Sequence, residues 1–129
     1  MTSRQPRQVR FLRAAIQNIA ADRCSVHVEI RGVVATYHGI AEGGCSEPEQ
    51  LRCAAQAAVN ALREFGHRIE LDAVEAVSIL GDWTVALRVL AEHEGERRKL
   101  VGFCVVGNDV LQATVFAVLN ATNRFLEIG

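Results

Sequence analysis

The chain has no apolar run of about 20 residues, so no part of it reads as a membrane-spanning helix. Its start carries early arginines with no long apolar stretch behind them, a poor secretory signal, and a cytoplasmic setting is the expectation. It has no surplus of positive charge. With 14 basic and 15 acidic residues the net charge is -1, which argues against a general electrostatic grip on nucleic acid or anionic lipid. Arg4, Arg7, Arg10 and Arg13 are the exception, and a solvated, disordered arm over residues 1–8 accounts for them better than a phosphate-binding one. The four cysteines, Cys24, Cys45, Cys53 and Cys104, form no C-x-x-C pair, and in a reducing compartment they read as reduced thiols. His27, His38, His67 and His93 show no i,i+4 spacing and no cysteine pair beside them, so neither a metal nor another cofactor is expected.

What the chain does have is a repeat. Gly39 to Phe65 and the stretch from Gly102 to Phe125 read alike, with Gly39 and Gly102, Asn60 and Asn123, and Leu62 and Phe125 each 63 residues apart. Each copy opens on extended, β-branched sequence. A unit of this size is too long for a solenoid repeat and suits one βββα layer. At 129 residues and half hydrophobic, the chain fits one domain, residues 9–129, divided into a first βββα unit over 9–66 and a second over 67–129. The expected fold is α+β: two tandem βββα units forming a mainly antiparallel sheet, with two helices packed on one face.

The segment Val9 to Ile19 fits either a helical face or a strand, and the second copy, where Leu71 to Leu80 takes its place, tips it towards strand. Val26, Val28 and Ile30 alternate with His27, Glu29 and Arg31, the pattern of a half-buried strand. Gly32 turns it into a hairpin partner over Val33 to Ala41. Ser46 with Glu49 predicts a capping box, followed by a helix from Glu47 that buries Leu51, Ala54, Ala55, Ala58, Val59 and Leu62 and ends at Gly66. In the second copy, strands are expected near Leu71 to Leu80, Thr84 to Ala91 and Lys99 to Val106. A helix capped by Asn108 or Asp109 should bury Val110, Leu111, Thr114, Val115, Val118, Thr122 and Phe125. Trp83, beside the Gly81 turn, could anchor a protein interface but is expected to close the end of the core.

The second copy, Val77-Ser-Ile-Leu-Gly, Thr84-Val-Ala-Leu-Arg-Val-Leu, Val101-Gly and Asp109-Val-Leu-Gln-Ala with Leu119-Asn-Ala-Thr-Asn, resembles the C-terminal regulatory domain of isopropylmalate and citramalate synthases. Val26-His-Val-Glu-Ile, Gly39 and Ala41-Glu-Gly-Gly are similar to that domain's first half. The resemblance covers nearly the whole chain, roughly Val9 to Phe125. It implies a tandem βββα fold that dimerises and binds an end-product amino acid or related metabolite. The catalytic TIM barrel of those synthases has no counterpart here, and their Gly-x-Gly-Pro turn is replaced by Glu42-Gly-Gly-Cys-Ser-Glu-Pro48.

Candidate sites fall at the two turns before the helices. Glu42, Gly43, Gly44 and Cys45, and at the equivalent place Gly107, Asn108 and Asp109, could bring backbone amides and a positive helix end to a small ligand. No catalytic residue is assigned. The reading is a non-catalytic homodimerisation and regulatory module that senses a small metabolite. Two alternatives stand beside it: a small thiol enzyme using Cys45 and His38 with Glu42, and a partner-binding module without a small ligand.

Overall fold

The structure, a computed structural model, describes residues 9–128, and side chains as far as Asn123. The arm expected over residues 1–8 lies outside the described residues, as does the side chain of Phe125. The elements follow the order β1 (Arg10–Ala20), β2 (Arg23–Arg31), β3 (Thr36–Gly43), α1 (Glu47–Phe65), β4 (Arg68–Ile79), β5 (Asp82–His93), β6 (Glu96–Val105) and α2 (Val110–Ile128). This is an α+β fold of two βββα units. The first segment is a strand.

The sheet divides. Each unit forms its own antiparallel three-stranded sheet, ordered β1-β2-β3 and β4-β5-β6. Each sheet is two hairpins about its central strand, β2 or β5, and among the described residues no ladder joins a strand of one unit to a strand of the other. What links them is the helical layer. Helix α1 lies on β2 and β3 and also touches β4, while α2 lies on β5 and β6 and also touches β1. The core between helices and sheets contains Val26, Val28 and Ile30 from β2, Val85, Leu87 and Val89 from β5, and the alanine-rich faces of the helices.

One device sets both helices against their sheets. A Cβ added at Gly39 would overlap the Ala57 carbonyl oxygen of α1, and one at Gly102 would overlap the Ala117 carbonyl oxygen of α2. Only glycine lets helix backbone approach a strand so closely. The same contacts correct the repeat. Ala57 follows Gly39 by 18 residues and Ala117 follows Gly102 by 15 residues, so the partner of Asn60 is Asn120 and not Asn123. Asn60 donates to the carbonyl of Ile40, and Asn120 accepts from the amide of Phe103, each reaching the last strand of its own sheet. Asn123 acts elsewhere, bonding both the amide and the carbonyl of Val9, at 2.9 and 3.2 Å, where the chain enters β1.

The hairpin after β2 is longer than expected. Gly32 donates to the Ala35 carbonyl, Val33 and Val34 stand exposed in the turn, and β3 begins only at Thr36. Phe65 lies where a Cβ on Gly32 would be. At the ends of the helices, Gly66 takes the left-handed conformation expected of it and returns its amide to Arg63. Asp109 caps α2 by accepting from the amides of Leu111 and Gln112. No helix among the described residues is long and apolar enough to cross a membrane.

Candidate functional site

The turn before α1 is closed by its own side chains. Ser46 occupies the cap position in an extended conformation but makes no side-chain bond there, so the expected capping box does not form. Glu49 instead reaches past it to the amide of Gly44 at 3.2 Å and pairs with Arg52 at 2.8 Å. Arg52, and then the Gly44 amide, hold the Glu49 carboxyl below its ordinary range. Gln50 donates to the Cys45 carbonyl at 2.7 Å, and Glu42 pairs with Arg23 at 3.5 Å. Gly43 is hemmed in by Arg52 and Cys53. The amides and positive helix end offered to an anion are therefore met by the protein's own carboxylate. In the second turn Asp109 plays the same part for α2, with Gly107 and Asn108 exposed beside it.

The cysteines differ from the expectation. Cys24 and Cys45 form a disulfide, with Cα atoms 5.3 Å apart. The β2–β3 register explains it: Cys24 pairs with Gly43, two residues before Cys45. In this state Cys45 has no thiol to ionise. Its supposed partner His38 is also on the wrong side, because Cys24 follows the inward parity of Val26 and Val28, whereas His38 pairs with Glu29 on the outer face. Cys45 and His38 are not brought together. Cys53 and Cys104 are free thiols, and burial pushes both up from the ordinary thiol range. Trp83, expected to close the core, is half exposed at the sheet end beside the fully exposed Leu80.

Among the described residues no three His, Cys, Asp or Glu side chains are placed to hold a metal ion. The His67 ring lies tilted against Phe65, which stacks on Tyr37, and burial holds the His67 imidazole below its usual pKa. A charged groove of about 530 Å³ beside it runs between Arg63, Arg68 and Arg97 on one hand and Glu70 and Glu92 on the other. Arg68 pairs with Glu92 and Arg97 with Glu70.

The outer faces of the sheets, turned away from the helices, are where the units part. Counting from the two glycines, equivalent cross-strand rows can be read directly. In the first unit they are Arg13–Glu29–His38, Ala15–His27–Ile40 and Gln17–Ser25–Glu42. In the second they are Ala73–Arg88–Val101, Glu75–Ala86–Phe103 and Val77–Thr84–Val105. The first face is polar and encloses a depression of about 350 Å³. The second has an apolar stripe on β6, where Val101, Phe103 and Val105 are each about half exposed.

Neither face was singled out by the sequence as a site. The polar one needed the register that sets Arg13 and His38 on either side of Glu29. The apolar one did have a signal, the unbroken run Leu100 to Val106, since a strand apolar at successive positions has two faces to cover. No protein-family model and no curated protein matches the chain.

Proposed function

We propose that this chain is a non-catalytic dimerisation and regulatory module, and that it meets a second copy of itself through the outer face of β4–β5–β6. The observation that carries the reading is the stripe Val101, Phe103 and Val105, flanked by Ala86 and Val77 and left half exposed by a fold whose two helices both lie on the other side. Large apolar groups gathered on one sheet face favour burial against a partner. A second copy suits this face because three of its charge pairs are closed within it, Arg88 with Asp72, Arg97 with Glu70 and Arg68 with Glu92, which leaves Glu75 on β4 as the charge nearest the stripe. Two such faces can meet about a two-fold axis with their apolar β6 rows together. The regulatory half of the reading draws on the resemblance to the synthase regulatory domain and on the small-molecule-sized depression on the other sheet.

Light scattering coupled to size-exclusion chromatography tests the dimer. The expected mass is twice the 14.1 kDa of the chain. Phe103→Asp should give a folded monomer. A wild-type monomer at micromolar concentration overturns the reading.

A further inference from the structure

The depression of about 350 Å³ on the outer face of β1–β2–β3 is bounded by Arg13 and Gln17 on β1, His27 and Glu29 on β2, and His38 and Ile40 on β3. It exists because Ala15 is small where its neighbours on the same strand face, Arg13 and Gln17, are long. The equivalent positions of the other unit hold Glu75, Ala86 and Phe103 in place of Ala15, His27 and Ile40. We propose that this depression binds a small organic acid: one carboxylate carried on a short apolar body.

Three features specify that class. Arg13 is the fixed cation, and its Nη1 stands 3.9 Å from Glu29 Oε1, beyond hydrogen-bond length, so its donors are not committed to that carboxylate. Guanidinium matches a carboxylate in planar, paired hydrogen bonds. Beside it, the rings of His27 and His38 line the depression with ring nitrogens; His27 is oriented by a hydrogen bond between its Nε2 and Ser25 Oγ at 3.1 Å, and Ser25 is itself buried. Ile40 is half exposed at the wall, with Ala15 beside it on the same face, and supplies the surface for the apolar body. Glu29 sets the limit. A half-buried carboxylate in the middle of the row opposes a second negative charge, so dicarboxylates and phosphate are disfavoured.

This inference rests on the regulatory half of the proposed function and is independent of the dimer interface. The test is an NMR titration of the ¹⁵N-labelled full chain with 2-methylpropanoate, with 2-methylpropanamide as the uncharged isostere and inorganic phosphate as an anion without an apolar body. Saturable shifts are expected with the acid alone, centred on the amides of Ala15, His27, Gly39 and Ile40. Arg13→Gln should weaken binding about tenfold, while Glu29→Gln should tighten it by removing the opposing charge. Phe103→Asp, on the other sheet, should bind with unchanged affinity even as a monomer, so failure of the dimer and failure of the site are seen separately. The proposal is overturned by the absence of saturable shifts, by equal binding of the amide or of phosphate, or by a Glu29→Gln variant that weakens the acid as Arg13→Gln does.

Discussion

On their inner faces the two units are near copies, and on their outer faces they share almost nothing. The row Ala14–Val28–Gly39 of the first corresponds to Val74–Leu87–Gly102 of the second, small or apolar at each place with glycine under the helix. One row further, on the opposite side of the same strands, His38 corresponds to Val101 and His27 to Ala86. The contrast separates two demands. Packing a helix onto a sheet constrains volume to within a methyl group, because interiors are close-packed. A face turned to water carries no such constraint, and its composition is free to be set by what binds there. In the proposed function, a polar face with a depression beside a face with an apolar stripe is a division of roles between units built on one plan.

The most damaging way to break the comparison is to attack what the units share. Gly102→Val and Gly39→Val each force a side chain into helix backbone, and each should cost about 4 kcal/mol or more, seen as loss of cooperative denaturant unfolding. Similar losses from both would sharpen the claim that the units use one device. Next is a feature that the first unit alone possesses. Cys45→Ser removes a cross-link closing a 21-residue separation and should lower stability by about 3 kcal/mol, and a reductant should bring the wild type to the same level while leaving the variant unmoved.

Below these come the outer faces. Phe103→Asp should weaken self-association by about 2 kcal/mol or more, whereas Ile40→Asp, at the equivalent position, should leave the oligomeric state unchanged in light scattering. Equal effects would erase the distinction between the faces. The smallest effect expected is a pH slope from His67. Its folded pKa lies below the unfolded one because burial disfavours the cation, so its contribution is present above about pH 6.5 and is lost as the pH falls towards the folded value. Denaturant midpoints measured between pH 5 and 7.5 should flatten in His67→Gln.

The inner half of this architecture was legible in the sequence because it rests on periodicity. Val26, Val28 and Ile30, the helix faces of Leu51 to Leu62 and Val110 to Thr122, Gly66 as a helix end and Asp109 as a cap all follow from spacing and local chemistry. What spacing did not carry was pairing across the chain. The disulfide needed Cys24 set opposite Gly43, and the division into two sheets needed the fact that β1 and β4 lie against the other unit's helix and not beside each other. The repeat itself misled at the helices, since a match of Asn60 to Asn123 by number hid a three-residue shift that only the glycine contacts reveal. The candidate turns had the right residue types for an anion, but Glu49 and Asp109 were already there to fill the role.

Asn60 and Asn120 bear on how far this protein can assemble. A border strand with free amides and carbonyls invites another chain to add alongside it, and an addition of that kind leaves a new border and has no natural end. By engaging Ile40 on β3 and Phe103 on β6, the two asparagines take up a main-chain group midway along one border strand of each sheet and interrupt the ladder that an incoming strand would need there. Growth from the β3 and β6 borders is thereby discouraged, while β1 and β4 form the opposite borders. In the proposed dimer contact is made through the broad faces instead, and a pair formed that way would have used up its adhesive stripe.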